Sequence, residues 1–533
     1  MTAGVSLAVD PPAGDAVPAA GTVRRTAWWP LALAVVAALG LAAGVAVVDA
    51  LPAGVVADDA FYVILARSIA TGQGYRALNV PGLPAGTHFP PGYPALLALV
   101  SFVAPAFPAS VAAFKALNAV FLAAAAVLVA RLLRRRIGAG PWWSASVGVV
   151  SAVSVPLLIL SNLVLSELCF LAFALALLLA LESLVDEPQP AWRVLLLGLA
   201  IGACALVRTH GAVLLPAAAI VLGARRRWRD IALLVAGAAV CLVPWQLWMA
   251  RHAGELPAPM LGMYDSYAGW WLRGVRELGA GMISATLAKT TAETGAMLSV
   301  LFSPLRSPFA RSVTLAALAA LVGAGGIAAW RRIPVTLLFI AGYLAIVLVW
   351  PFQTARFVWA IWPLVLALVA AGGWAAVARS AWRAPVRLAL FCALAWVTVG
   401  YARYEVRGVR GAWWSSLGRA NTPRIATSVR WVAAHAAAGE VVATENEGAV
   451  YLYTGHQAVP IIALTPGQYL REPSPRENAL AGLAPVLDAY PVRSVVVTTG
   501  KAEEAARYLA TATPHRLQLR EEFAGGAVFT VLP

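Results

Sequence analysis

The feature that most limits what this chain can fold into is an alternation of long apolar runs with short tracts of arginine. The runs fall at roughly 27–49, 110–133, 142–160, 164–184, 194–207, 211–224, 231–250, 311–330, 334–350, 357–377 and 386–402. A helix needs about 20 apolar residues to cross about 30 Å of hydrocarbon, so these runs predict about eleven transmembrane helices. The tracts are Arg24-Arg25, Arg131 with Arg134-Arg135-Arg136, Arg193, Arg225-Arg226-Arg227 with Arg229, Arg331-Arg332, and Arg379 with Arg383 and Arg387. Basic connectors mark the cytoplasmic side. With the N-terminus cytoplasmic, eleven crossings place every one of these tracts on that side and the C-terminal tail outside. The expected fold class is a polytopic α-helical membrane protein with a C-terminal extracytoplasmic α/β domain, resident in the plasma membrane.

Composition supports this and excludes other classes. Of the 533 residues 61% are hydrophobic and 12% charged, about half the charge of a soluble domain. An ordinary soluble enzyme and a disordered chain are both excluded. The net charge of +15 does not call for nucleic acid, because its excess sits in the apolar part. Residues 404–533 hold 12 Lys/Arg against 11 Asp/Glu, and the rest hold 28 against 14. Cys169, Cys204, Cys241 and Cys392 lie in apolar runs without metal-ligand spacing and read as packing residues.

Three regions follow. Residues 1–26 are a polar leader expected to be disordered and cytoplasmic. Residues 27–403 form the membrane domain, whose first apolar run reads as a retained helix rather than a cleaved signal peptide. Residues 404–533 form the soluble domain. Two long outside loops interrupt the membrane part, 51–109 and 251–310, and loops of that length are usually functional. The second predicts an interfacial helix with an aromatic face around Trp270-Trp271, Tyr264 and Tyr267. In the tail, Asn421-Thr422-Pro423 reads as a helix start, Val441–Thr444, Ala449–Tyr453 and Ser494–Thr499 as strands, Lys501–Ala512 as a helix and Arg516–Leu532 as a hairpin. No GxGxxG or phosphate-binding P-loop is present, so nothing argues for nucleotide binding.

A few polar residues fall where topology does not explain them. Asp58 and Asp59 follow the first run at its outer end. Ionised groups are costly beside hydrocarbon unless solvated, paired or used, so the pair is either a general base facing a cavity or a solvated cap on the following helix. Glu167 is the sole carboxylate between Asp59 and Glu182, and is a second acid in that cavity or a mark of the helix boundary. Arg208 and Arg356 are isolated at outer helix ends, against the positive-inside pattern. A guanidinium binds phosphate bidentately and stabilises the charge of a phosphate leaving group. The alternatives are snorkelling to headgroups or an ion pair with Glu167 or Asp59. His88 and Tyr93 flank Pro90-Pro91-Gly92 and are placed to reach a phosphate or sugar, Tyr93 also as an interfacial anchor. Lys115 and Lys289 stay unassigned.

Taken in order, Asp58-Asp59-Ala60-Phe61-Tyr62, Gly72-Gln73-Gly74-Tyr75, Phe89-Pro90-Pro91-Gly92-Tyr93-Pro94, Ser166-Glu167, Leu206-Val207-Arg208-Thr209 and Arg356-Phe357 with Pro363 resemble the GT-C membrane glycosyltransferases. The particular likeness is to bacterial relatives of the protein O-mannosyltransferases and of the lipid A aminoarabinose transferase. Val442–Asn446 and Tyr451–Gly455 resemble their extracytoplasmic domain. The resemblance implies a GT-C-like fold and inverting transfer of a hexosyl or pentosyl group, from a polyprenyl-phosphate sugar to an envelope protein, lipid or glycan. It implies Asp58 or Asp59 as base, Arg208, Arg356 and His88 on the donor phosphate, and Glu167, Tyr93 and Tyr62 on substrate. Several relatives carry Lys directly before Pro-Pro, where this chain has Phe89 with His88 one residue earlier. No resident cofactor is implied and no metal-ligand cluster is visible, though a divalent ion is compatible with the chemistry. A multi-span transporter or lipid flippase with an external sensing domain is the rival class; it needs charged groups and broken helices near mid-bilayer.

Overall fold

The computed structural model describes residues 27–104, 106–378, 383–470, 473–523 and 525–532. The expected leader, 1–26, and Arg379 lie outside the described residues. Every predicted apolar run is helical, but the count of full crossings is smaller than eleven. Six described helices are long and apolar enough to cross a membrane: Trp29–Ala46, Ser110–Ile137, Glu167–Asp186, Trp228–Arg251, Pro308–Ala329 and Ala384–Arg410. A seventh is the pair Pro141–Ala152 and Val155–Ser161, bent by 48° at Val153-Ser154, where Ser154 is extended and Pro156 sits in the first turn of the second helix. Four of the expected spans are shorter apolar helices, Ala191–Val207, Thr209–Ala224, Pro334–Leu348 and Trp362–Val377.

The loop at 251–310 is more ordered than its composition suggested. It contains the amphipathic helix Tyr267–Leu278 and then a 23-residue helix, Ala280–Phe302, whose Lys289, Glu293 and hydroxyl residues disguised it as a loop. Trp270 is buried against Trp350 and Phe352 and donates through Nε1 to the Leu464 carbonyl at 2.9 Å.

Two ends of the bundle are distinguishable. At one, the arginine tracts meet: Arg136 pairs with Asp186, Arg225 and Arg227 donate to the Val185 and Leu184 carbonyls, and Arg332 donates to the Ile137 carbonyl. The helix Glu167–Asp186 runs from there to the other end, which carries the β-sheet. Close backbone contact holds the walls together: a Cβ at Gly198 would lie 2.3 Å from the Leu234 carbonyl oxygen, and one at Gly237 would lie 2.2 Å from that of Leu195, so the helix pair Ala191–Val207 and Trp228–Arg251 approaches through absent side chains. The same device matters at the sheet end. A Cβ at Gly92 would meet the Leu206 carbonyl at 2.7 Å, which seats the helix Gly92–Ser101 directly on the turn that presents Arg208.

The sheet has five strands, β1 (Val441–Thr444), β2 (Ala458–Val459), β3 (Val492–Val497), β4 (Leu517–Phe523) and β5 (Gly526–Val531), in the order β2-β1-β3-β5-β4. β1 runs parallel to β2 and β3, with Val442 opposite Ser494, and β5 is antiparallel to β3 and β4. The expected hairpin is β4-β5, and the helix after β3 is Gly500–Ala512. Two expectations fail here. Ala449–Tyr453 lies in a helix, Glu447–Thr454, because joining parallel β1 to β2 requires a crossover that its β-branched and aromatic residues would not reveal. Pro423 lies inside the helix Ser416–His435 rather than at its start.

The sheet is stitched to the loop that follows the first helix. Ala458 N–H donates to the Asn79 carbonyl at 2.8 Å, Ala53 N–H to the Tyr453 hydroxyl at 3.0 Å, and the Asn421 amide to the Val55 carbonyl at 2.7 Å.

Candidate active site

Four residues far apart in sequence converge at the sheet end of the bundle. Asp58 is the first residue of the helix Asp58–Ala70, Glu167 the first of Glu167–Asp186, Arg208 sits in extended backbone after Val207, and Arg356 lies in the short helix Thr354–Trp359. Asp58, Glu167 and Arg208 stand at helix ends and Arg356 within a helix of six residues. Arg356 Nη1 meets Asp58 Oδ2 at 2.6 Å, and Arg356 Nε meets the Glu167 carboxylate. Arg208 Nη1 lies 3.2 Å from the same Glu167 oxygen and 3.2 Å from the Ser166 hydroxyl, which also bonds the Tyr62 hydroxyl at 3.0 Å. Glu167 is therefore a single carboxylate serving two guanidiniums, and it is wholly buried.

The two aspartates differ in kind. Asp59 is 1% exposed, and its carboxylate accepts backbone N–H bonds from Val55, Val56 and Ala60 at 3.2, 3.3 and 3.0 Å. It folds the 53–57 turn back on the helix, and burial pushes its carboxyl up to about 6. Asp58, 31% exposed, faces Arg356. Between them and the first helix, Ala57 has φ +62°, a left-handed conformation rare outside glycine and typical of strained functional turns.

Beside the arginines lies a cavity of about 130 Å³ lined by Tyr62, Phe89, Arg208, His210, Tyr267 and Trp350 among others. It has a polar end: Arg208 Nε and both ring nitrogens of the buried His210 have no hydrogen-bond partner. The sequence pointed to Arg208 but not to His210, Tyr267 or Trp350. The two aromatics come from distant segments of the chain.

Tyr62 lines the cavity. His88 and Tyr93 do not. The Nδ1–H of His88 donates to the Asp265 carbonyl at 2.5 Å and its ring packs on Tyr267; burial lowers its pKa and keeps it neutral. Tyr93 is fully buried, with its hydroxyl 3.3 Å from Asn118. Both support cavity residues from behind. Lys115 is a structural cation that binds Asp49 at 2.7 Å. Among the described residues no three His, Cys, Asp or Glu side chains converge on one point.

On the opposite side of the 53–57 turn, Glu447 is buried at the carboxyl end of β1 and bonds the Tyr264 hydroxyl. Burial pushes its carboxyl up from an ordinary 4.5 to about 8. The folded chain thus holds this proton more tightly than the unfolded one. Its contribution to stability is whole below about pH 4.5 and is lost as pH rises through about 8. The melting temperature of the wild type should fall between about pH 5 and 8 more steeply than that of Glu447→Gln, which has no proton to lose; parallel curves would refute this.

No protein-family model matches the chain, and no curated protein does. Solved structures do. ArnT from Cupriavidus metallidurans bound to undecaprenyl phosphate superposes with a TM-score of 0.53 at 12% identity, covering 95% of this chain and 98% of that one. The apo oligosaccharyltransferase of Archaeoglobus fulgidus superposes with a TM-score of 0.51 at 13% identity, over 93% of this chain and 73% of that one. The same archaeal enzyme tethered to an acceptor peptide with an NVT sequon gives 0.52 at 12% identity, with the same coverage. This chain has the fold of the GT-C polytopic membrane glycosyltransferases.

Proposed function

We propose that the chain is a glycosyltransferase that moves a sugar from a polyprenyl-phosphate donor to a cell-envelope acceptor at the extracytoplasmic face, with inversion. The observation that carries this is the convergence of Arg208, Arg356, Glu167 and Asp58 beside an aromatic cavity at one membrane end. The arginine tracts at the other end support an outward-facing site. The bound undecaprenyl phosphate in ArnT supports the choice of donor.

In this scheme an acceptor hydroxyl attacks the anomeric carbon. The new C–O bond forms as the anomeric C–O bond to phosphate breaks, and the electron pair stays on the phosphate oxygen. Asp58 takes the hydroxyl proton. As it is neutralised its hold on Arg356 weakens, and that guanidinium charge turns to the phosphate just as the phosphate gains charge. Glu167 keeps both arginines aimed through its Oε1. Stacking faces from Tyr267 and Trp350 suit a sugar ring.

The experiment is binding of undecaprenyl phosphate to purified protein in nanodiscs, read by native mass spectrometry. Arg208→Ala and Arg356→Ala should each weaken binding at least about tenfold, the order expected of a charge-assisted contact. Wild-type affinity in both variants would remove the phosphate from this site.

A further inference from the structure

A second cavity lies on the far side of the turn that carries Asp58. It measures about 280 Å³ and is walled by the 54–57 backbone, by Asn421 and Arg424 of the helix Ser416–His435, and by Glu445, Glu447 and Thr499. Its floor is the carboxyl edge of the sheet between β1 and β3. These neighbours are parallel, and the chain leaves β1 toward β2 and β3 toward β4, on opposite sides. A crevice at such a reversal is where open α/β sheets hold ligands.

The crevice has a built polar lining. Glu445 accepts from the Thr498 N–H at 2.5 Å and from its hydroxyl at 2.8 Å through one oxygen, and its other oxygen is buried without a partner. Glu447 is 3% exposed, and its Oε1 also has none. Buried polar atoms are almost always hydrogen-bonded, so both oxygens call for a hydrogen-bonding partner. Glu447 holds its proton at neutral pH, so the two carboxyl groups offer a donor and acceptors beside Arg424 and an amide, a set that matches the hydroxyls of a sugar, which both donate and accept.

We propose that this crevice is the acceptor site and that the acceptor is a saccharide, one of whose hydroxyls passes Ala57 to reach Asp58. Ala57 and Ala60, which bracket the aspartate pair, both line the cavity wall. The inference rests on the function proposed above: donor phosphate and sugar sit on the Arg208 side of the turn, acceptor on the sheet side, and the base between them. The hydroxyl's proton goes to Asp58 and its oxygen to the anomeric carbon, with phosphate leaving.

The test uses full-length protein in nanodiscs and methyl hexopyranosides of glucose, galactose and mannose as probes, read by saturation-transfer difference NMR. Undecaprenyl phosphate binding to the same samples is the control. At least one glycoside should bind wild type, and Glu445→Ala/Glu447→Ala should weaken it at least tenfold while leaving the lipid phosphate bound. Arg424→Trp, a change at an exposed rim residue, should do the same by obstruction. Silence from every glycoside in protein that binds undecaprenyl phosphate overturns the saccharide site, as does unchanged glycoside binding in both variants. Binding of ethanolamine in place of the glycosides overturns the ligand class. Loss of undecaprenyl phosphate binding in wild type overturns the donor reading instead.

Discussion

Asn in place of Asp58 is expected to slow transfer from a labelled polyprenyl-phosphate sugar by about 100-fold or more, the contribution typical of a positioned general base. Asn in place of Asp59 should leave the rate within about tenfold and lower the melting temperature instead, since three backbone N–H groups lose a charged acceptor at about 1–3 kcal/mol for a buried donor left unpaired. The asymmetry follows from where each carboxylate points. Asp59 is spent on its own turn through Val55, Val56 and Ala60, and Asp58 faces Arg356 with a third of its side chain open. A pH profile separates a base from a mere counter-ion. The acidic limb of kcat should vanish in Asp58→Asn, and a variant retaining the wild-type limb, or more than a tenth of the wild-type rate, would end the assignment.

The second large effect is expected at Glu167. Its buried carboxylate neutralises Arg208 and Arg356 together. Removing one partner of a buried ion pair costs about 3–5 kcal/mol, because the remaining charge is left uncompensated. Glu167→Gln should therefore destabilise the fold on that scale and reduce transfer as the guanidiniums lose their aim. Combining it with Arg208→Met should recover part of the stability, although not the activity, since the second change removes one of the stranded charges. Intrinsic-fluorescence melts of the two single variants and the double variant check this. A Glu167→Gln melt indistinguishable from wild type would mean that solvent, rather than this carboxylate, compensates the arginines.

Much of the molecule was legible in its letters because membranes impose crude rules. Apolar length, arginine tracts and the composition break near Arg403 were enough for a multi-crossing bundle and an α/β tail. Arg208 and Arg356 stood out because they broke the charge pattern, and the structure brings both onto Glu167. What stayed hidden depends on contacts between distant segments. Nothing local tells Asp58 from Asp59, since the difference lies in a turn closed by backbone N–H groups on one side and an arginine 298 residues away on the other. His88 and Tyr93 flank a motif yet support the cavity from behind, because Gly92 presses that segment onto Leu206. The crossover helix Glu447–Thr454 carries strand-like residues and is helical because β1 and β2 are parallel neighbours.

The stitching of the sheet to the first long loop carries a mechanical consequence. Asn79 and Val80 bond Gln457 and Ala458, Ala53 bonds Tyr453, and Val55 bonds Asn421, so the segment holding Asp58 is clamped from above at both its ends. The sheet cannot swing aside while that segment stays in register. A chain cut after Arg410 would lose the roof over Asp58 as well as the sheet, and an engineered swap of the C-terminal region between related chains would have to carry residues 51–87 along as part of the same graft.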